Sequence, residues 1–567
     1  MAQPVSHQLT GVNNEWVDPL GLFVQVHRNA QGGPAGWLPP NVSKWANTTD
    51  PFRSASLASL MRGLNLGSHR YPGGSIGNWW DLRHENFSAD VRNASLDPAS
   101  AFHATIADVM SSGAFAPGTF GIAAFDAMAR DAGAETIISL DVSAGGGADP
   151  AVPSLIAARI GGARAARLKL EIGNEVYNPR QGPQPGGFAT AQDYLSATAA
   201  LREAAHAVPG ARVGVCASPC PLFFPEGSAC WGGSEGRYHK WNANLSRGCR
   251  EDSGGARRCD AVVGHNYIFP HDTLAPLADG QLLGGYLAAP QVTMDFGVAS
   301  LARDYPAGTK LWISEYNTQY ADAWNGRADA PSTACPHCRL AFARFLNSTE
   351  NSGAHALQVA AFVMAGMAHA GVVEVMNYHS YLEGAGPGSL GPQSTGGSQP
   401  GFAIAAINET GAYVSPVAQM LSVLAALLSA PNATMESVPQ PTAHGAPLLP
   451  FTLAAAGLGN ASLPCVQAVA ICAKGPLNRG AASHLLALNR CARAAPVRID
   501  TACGGAATGW ASVSVYNASL APPGTQWARA EGPQPWGPMR PEVKPAGTGV
   551  SVVAEGHALS FVELLGE

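Results

Sequence analysis

The stretch Leu170-Glu171-Ile172-Gly173-Asn174-Glu175-Val176-Tyr177 runs from a short apolar strand into a loop, and Leu311-Trp312-Ile313-Ser314-Glu315-Tyr316-Asn317 repeats the construction further along. Each apolar run ends in a cluster of polar and aromatic side chains. Around and between them, short apolar strands, polar or Gly-rich loops and Ala-rich helical stretches alternate from about residue 60 to residue 385. That alternation predicts parallel strands with helical crossovers, because a parallel pair cannot be joined by a tight turn. Seven strands are expected, at 67–71, 136–141, 167–172, 212–217, 261–267, 310–316 and 372–379. Apolar residues three and four apart mark helices at 120–132 and 191–207. With an eighth strand upstream, best placed at 22–27, the set closes into an α/β fold, a (β/α)8 TIM barrel. An open doubly wound sheet is the alternative. No G-x-G-x-x-G follows an early strand, and Gly145-Gly146-Gly147 is an isolated run, so the dinucleotide-binding form of that alternative has little support.

Past about residue 400 the pattern changes. A helical segment at 414–429 gives way to short alternating runs at 483–489, 497–500, 512–516 and 558–564, separated by Gly, Pro and Asn, which predicts a C-terminal antiparallel β-sandwich domain. The expected organisation is an extension over 1–59 that adds strands to barrel or sandwich, a catalytic barrel over 60–405 and a sandwich over 406–567. A chain of 567 residues has room for this. Its 46% hydrophobic and 13% charged content place it among globular proteins. Thirty-four Lys+Arg against 40 Asp+Glu give a net charge of −6, and no basic cluster stands out. Nucleic-acid binding is therefore not expected, since it depends on neutralising phosphates. The apolar stretch 417–430 is too short to span a bilayer, and 356–376 is interrupted by Gln358, His369 and Glu374; both read as buried helices, and no transmembrane segment is expected.

Ten Asn-x-Ser/Thr sequons occur, at Asn41, Asn47, Asn86, Asn93, Asn244, Asn347, Asn408, Asn432, Asn460 and Asn517, where chance composition gives about three. Eleven cysteines, several in tight groups (Cys216/Cys220/Cys230, Cys249/Cys259, Cys335/Cys338, Cys465/Cys472, Cys491/Cys503), fit an oxidising compartment, and the odd number leaves at least one unpaired within the chain. Cys335-Pro-His-Cys338 has redox or zinc spacing but no second C-x-x-C, so a structural disulfide is the expectation. The first residues lack a charged and an apolar leader region. The expectation is a secreted, extracellular or lumenal glycoprotein whose leader is removed from this numbering.

Active sites of (β/α)8 barrels gather at the carboxyl ends of the strands, and the predicted fourth and seventh strands each end there in a glutamate. Two carboxylates facing across a barrel mouth are what glycoside hydrolysis needs: one protonates the leaving oxygen, while the other attacks the anomeric carbon or activates water. The bland reading is a pair of surface carboxylates at loop starts. Apolar strands rarely end in Glu at both required places, which favours the catalytic one.

Gly173-Asn174-Glu175 on the fourth strand, with Ile313-Ser314-Glu315-Tyr316-Asn317 on the seventh, resembles the retaining glycoside hydrolases of the (β/α)8 clan A, and the added sandwich suggests their heparanase and β-glucuronidase branch or relatives among xylosidases and arabinofuranosidases. The resemblance implies that Glu175 is the acid/base, Glu315 the nucleophile and Asn174 a contact to the sugar 2-hydroxyl. It further implies that His265 and Tyr267 of His265-Asn266-Tyr267 touch substrate and nucleophile, and that Arg70 of Arg70-Tyr71-Pro72-Gly73-Gly74 keeps the nucleophile ionised. The clan's usual Pro after the acid/base is Val176 here, and the segment 219–260 matches no familiar pattern.

Tyr177, Tyr316, Trp79, Trp80, Tyr378 and Tyr381 are candidate stacking platforms for sugar rings, with core packing the competing role for each. His271 and Asp272 lack a third metal ligand at usable spacing, so neither a catalytic metal nor a cofactor is expected. No G-x-S-x-G and no P-loop signature occur. The expected partner is a carbohydrate substrate, in the form of uronic-acid-containing or other plant, algal or matrix-type polysaccharides. The competing class is a non-catalytic extracellular glycan-binding or structural protein on a hydrolase-like barrel, for which the odd cysteine makes assembly conceivable; oligomeric state is open.

Overall fold

The computed structural model describes residues 3–13, 55–78, 80–87, 121–142, 148–178, 188–225, 235–269, 274, 277–318, 340–349, 352–379, 404–408, 411–429, 434–436, 448–453, 459–472, 482–499, 501–502, 505–506, 509–518, 528–529 and 550–565. Eight parallel strands close into a barrel: β1 (Gly11–Asn13), β2 (Ser68–Tyr71), β3 (Glu135–Leu140), β4 (Lys169–Ile172), β5 (Arg212–Cys216), β6 (Ala261–Ile268), β7 (Lys310–Thr318) and β8 (Val373–His379). β8 pairs back onto β1, with Asn377 opposite Gly11 and His379 opposite Asn13. The seven strands read from the sequence are all present. The eighth is β1, not 22–27, which lies outside the described residues. Three residues are too few to carry a strand periodicity, so Gly-Val-Asn gave no signal.

The barrel interior is a packed core. Ile137, Ala261, Val263, Trp312 and Val375 form their own cluster inside it, with none more than 1% exposed. Gly214 makes room for the Trp312 ring; a β-carbon there would stand 2.6 Å from Trp312 Cε3 and 2.6 Å from Val263 Cγ2. Outside, α1 (Glu235–Glu251) follows β5, and α2 (Leu282–Asp304), α3 (Gly353–Ala368) and α4 (Pro416–Leu428) stack in sequence, α3 against both others. Gly353 to Met367 is buried without interruption, which explains why this helix is apolar all round rather than on one face. Ser352 and Ser415 cap α3 and α4 by accepting from Ala354 N and Ala418 N.

The C-terminal region holds a six-stranded antiparallel sheet in the order Gln3–Pro4, β9 (Thr434–Glu436), β10 (Val466–Cys472), β11 (Ala482–Asn489), β13 (Ala558–Leu565), β12 (Gly509–Asn517), accompanied by smaller antiparallel sheets. The N-terminal extension thus feeds both parts: Gln3 pairs with Met435 in this sheet, and Val12 with His69 in the barrel. Arg490, fully buried, donates to Gln467 within the sandwich and to Gln291 on α2.

Cys249 bonds Cys259, closing the turn after α1, and Cys465 bonds Cys491, joining the ends of the β10–β11 hairpin. Cys220 and Cys472 are also disulfide-bonded. Among the described residues the free thiol is Cys216, buried in the barrel. Cys335 and Cys338 lie outside the described residues, as do Asn41, Asn47, Asn93 and Asn432; Asn244 on α1 and Asn517 at the end of β12 are half-buried. Among the described residues no helix is long and apolar enough to cross a membrane.

Gly214→Val is expected to destabilise the fold by about 2 kcal/mol, the usual order of cost for overpacking a core. Urea denaturation should show a lowered midpoint with an unchanged slope.

Candidate active site

The site is built from the carboxyl ends of β1, β2, β4, β6, β7 and β8. Its centre is Arg70 on β2, which has no exposed surface. The guanidinium forms a double hydrogen bond with Glu171, Nε to Oε2 at 2.6 Å and Nη2 to Oε1 at 2.7 Å. Nη2 also donates to Asn174 Oδ1 at 2.7 Å, and Nη1 to Glu315 Oε1 at 2.8 Å and Asn13 Oδ1 at 3.1 Å. Burial opposes the charge, but Glu171 and Glu315 outweigh it and push the Arg70 pKa up. Two carboxylates, one from β4 and one from β7, are thereby fixed to one cation.

Glu315 reaches this position through a backbone irregularity. Along β7, Trp312 stands opposite Val263 of β6 and Glu315 opposite His265, so three steps on β7 match two on β6; the β8 side shows the same offset between Ile313 and Tyr316. The extra residue is a β-bulge, which re-aims side chains at a strand end. Trp312 and Ser314 point into the barrel by regular alternation, and the bulge turns Glu315 inward as well. Besides Arg70, Glu315 receives Tyr267 Oη at 2.7 Å on Oε2 and Asn13 Nδ2 at 3.3 Å on Oε1. Its side chain is 5% exposed.

Glu175 is placed by a different device. Gly173 and Glu175 both adopt left-handed backbone conformations, with φ of +77° and +45°. For a glutamate this is uncommon and costs of the order of 1 kcal/mol. A β-carbon at Gly173 would lie 2.5 Å from Val142 Cγ2 and from Val176 Cγ1, which is why glycine stands there. Asn78 clamps the turn, accepting from Asn174 N at 3.0 Å and donating to Asn174 O at 2.6 Å. The result swings the Glu175 carboxylate over the mouth, 12% exposed, with Asn178 Nδ2 at 3.4 Å.

His265 on β6 stands between the two glutamates. Its Nδ1 lies 2.8 Å from Glu175 Oε1 and 3.3 Å from Glu315 Oε2, and its Nε2 3.1 Å from Ser314 Oγ. Ligand atoms of Glu175, His265 and Glu315 all fall within 4.8 Å of one another. That spacing would suit a metal ion, but Glu315 Oε1 is already engaged by Arg70 Nη1 and Glu175 Oε1 by His265 Nδ1. Burial works against the His265 charge, yet Glu315 and Glu175 together raise its pKa. Burial likewise works against ionised Glu175, and the hydrogen bond and charge of His265 outweigh it, lowering that pKa. A narrow cleft opens beside the pair, lined by Glu175, Tyr177, Asn178, Pro219, Tyr238, His265, Tyr267 and Phe269.

The chain has the fold of the family 51 arabinofuranosidases. It superimposes on the GH51 arabinofuranosidase from Xanthomonas axonopodis pv. citri with a TM-score of 0.60 at 14% identity, over 100% of this chain and 97% of that one. The family 51 α-L-arabinofuranosidase AbfB of Bifidobacterium longum gives 0.61 at 16% identity, over 99% and 97%. A Paenibacillus polymyxa xyloglucanase of family 44, solved with xyloglucan, gives 0.50 at 11% identity, over 100% and 98%. No protein-family model matches the chain, and no curated protein sequence does.

Of the residues singled out from the sequence, Arg70, Asn174, Glu175, His265, Tyr267 and Glu315 converge, and Tyr177 lines the cleft. Tyr316 and Tyr378 do not present a face to a ligand. Both have no exposed surface; Tyr316 packs on Phe362 and Tyr378, and Tyr378 accepts from Asn317. Trp80 is also fully buried, in a two-residue strand opposite Phe87. These three are packing groups, with no exposed surface and with neighbours in the hydrophobic core. Trp79, Tyr381, His271 and Asp272 lie outside the described residues. Sequence reasoning missed Asn13, Glu171 and Ser314 as members of the cluster. Period-two alternation from Lys169 through Glu171, and from Trp312 to Ser314, is the signal that finds the last two.

Arg70→Met leaves Glu171 buried and unpaired, and is expected to cost about 3–5 kcal/mol of stability in chemical denaturation. The Glu175–His265 pair also makes stability depend on pH. The lowered Glu175 pKa contributes fully above the ordinary carboxylate value of 4.5 and is lost as pH falls through the lowered one. The raised His265 pKa contributes fully below the ordinary histidine value of 6.5 and is lost as pH rises through the raised one. The melting-temperature deficit of His265→Asn should therefore be largest between pH 4.5 and 6.5 and shrink on both sides.

Proposed function

We propose that this chain is a retaining glycoside hydrolase in which Glu315 is the nucleophile and Glu175 the acid/base. The observation that carries the reading is the approach of the two carboxylates, an oxygen of each within 4.8 Å across the barrel mouth. Retaining enzymes hold their carboxyl groups about 5 to 5.5 Å apart, whereas inverting ones leave about 6.5 to 9.5 Å for a water. Glu315 attacks the anomeric carbon while a proton passes through Glu175 to the leaving oxygen. Glu175 then takes a proton from water, which attacks the same carbon and frees Glu315. Arg70 and Tyr267, donating to different oxygens of Glu315, support an ionised and oriented nucleophile. Asn174 has its carbonyl oxygen engaged by Arg70, which leaves its amide to donate to a sugar hydroxyl.

The cleft lies beside Glu175 and His265. Its lining is largely aromatic, with Tyr177, Tyr238, Tyr267 and Phe269, and its one basic group, His265, is committed to the two glutamates. A uronic acid entering there would bury its carboxylate without a free cationic partner. A neutral sugar, stacking its apolar face, suits the cleft better, and the arabinofuranosidase and xyloglucanase neighbours point the same way. Ten sequons and the disulfides Cys249–Cys259 and Cys465–Cys491 favour a secreted enzyme acting on extracellular polysaccharide.

The test is hydrolysis of a panel of aryl glycosides, comprising α-L-arabinofuranoside, β-xyloside, β-glucoside and β-glucuronide. Turnover of at least one neutral member is expected, with retained anomeric configuration in the first product. Glu315→Ala and Glu175→Gln should each lower kcat by about a thousandfold or more while the far-UV spectrum stays that of the parent. Normal turnover in either variant rejects the assignment.

A further inference from the structure

The hydrogen bond between His265 Nδ1 and Glu175 Oε1 has to contain a proton, and the surrounding groups fix how many. Ser314 has one hydroxyl hydrogen, and it goes to Glu171 Oε1 at 3.2 Å. Ser314 Oγ is then left to accept from His265 Nε2 at 3.1 Å, so Nε2 carries a hydrogen. At the other end of the ring, Nδ1 faces two carboxylate oxygens, both acceptors when ionised. A 2.8 Å contact between such a nitrogen and such an oxygen holds one proton, on either atom.

We propose that His265 is the resting carrier of the proton that Glu175 delivers, and that Glu171, acting through Ser314, positions its ring for that role. The inference rests on the glycosidase reading above. In the first step the C1–O bond to the leaving group breaks and a C1–O bond to Glu315 forms. The proton moves from His265 Nδ1 through Glu175 to the leaving oxygen, ending with neutral imidazole, ionised Glu175 and an uncharged ester at Glu315. In the second step water supplies its oxygen to C1, the ester bond breaks to restore ionised Glu315, and the water proton returns through Glu175 to Nδ1. Charge is conserved in both steps.

The charge on Glu315 drives the exchange. While it is ionised, 3.3 Å from Nδ1, it favours the imidazolium; once esterified it no longer does, and His265 has no reason to reclaim the proton just given. The direction of the His265 shift, up, with Glu315 the strongest of the groups raising it, agrees. The titratable and charged groups around the ring are Glu171 and Glu175 from β4 and its following turn, Tyr177 beside them, Tyr267 on its own strand, Glu315 on β7, His379 on β8 at 3.9 Å from Glu315, and Arg70 on β2. Arg70 opposes a second positive charge but is itself tied to Glu171 by two bonds.

Two measurements on the full chain test the proposal. Nitrogen-15 spectra of histidine-labelled protein, with His265 assigned by comparison with His265→Asn, report its protonation directly. In the parent, His265 should titrate above the ordinary histidine range, and in Glu315→Gln at least one pH unit lower; an unchanged midpoint overturns the proposal. The second is the pH profile of Ser314→Ala, which cuts the link to Glu171 without emptying the core. Its alkaline limb of kcat/KM should move at least half a unit toward acid. Its loss should also be at least tenfold greater for alkyl glycosides, which need protonation, than for dinitrophenyl glycosides, which do not. An equal loss for both substrates assigns Ser314 a merely structural part and refutes the positioning claim. A chain that hydrolyses no glycoside defeats the functional reading, while the nitrogen-15 titration still decides where the proton rests.

Discussion

Arg70 carries a full positive charge with no exposed surface, and such a charge is tolerated inside a protein only when its hydrogen bonds are all answered. Here the answers come from β1, β4 and β7, so one guanidinium ties opposite walls of the barrel together at the level where the chemistry sits. The planar fork matters. Nε and Nη2 grip Glu171 as a pair, and the remaining direction is handed to Glu315; a lysine has no such geometry to offer. The position of Glu315 is therefore a consequence of where Glu171 holds Arg70, one layer deeper in the barrel.

Both glutamates at the mouth, Glu175 and Glu315, are delivered by departures from regular backbone. A parallel strand without a bulge alternates its side chains strictly, so Ser314 and Glu315 could not both face the interior. The inserted residue in β7 removes that conflict and lets Ser314 serve the buried network while Glu315 serves the mouth. On β4 the left-handed pair Gly173 and Glu175 does the equivalent job by turning the chain sharply, with Asn78 satisfying the backbone of the residue between them. Strain of this sort persists only where surrounding contacts over-determine it. The four hydrogen bonds around Asn13, Arg70, Asn174 and Glu315 supply that determination.

What was legible in the sequence follows from the same physics. Strands β2 to β8 run four to nine residues with helices between them, and most are apolar enough for the glutamates that follow β4 and close β7 to stand out. β1 was not legible, since three residues have no period, and its Asn13 went with it. The bulge leaves no mark at all: Trp312-Ile313-Ser314-Glu315 reads equally well as a regular strand with Glu315 outside. Aromatic residues misled for a different reason. A ring's composition says that it is large and apolar, which suits a sugar platform and a core alike, and only the structure showed Tyr316, Tyr378 and Trp80 wholly buried. The fold was thus readable from pattern, and the site from pattern only where each side chain had a single environment that could accept it.

The depth of the Arg70–Glu171 pair also bears on how such a site survives its own reaction. Three carboxylates, Glu171, Glu175 and Glu315, share the cluster with Arg70 and His265. If Glu315 is esterified, one negative charge disappears from the middle of a buried array, and any cation that relied on it alone would be stranded. Arg70 does not rely on it alone, because its double bond to Glu171 is shorter, lies beneath the mouth and takes no part in bond making. His265 is the group exposed to the change, with Glu175 and Glu315 at Nδ1 and a neutral hydroxyl at Nε2. The array is divided accordingly: Arg70 is anchored by Glu171 below the mouth and keeps the geometry, while the charge on His265 is coupled to the carboxylates at the mouth itself.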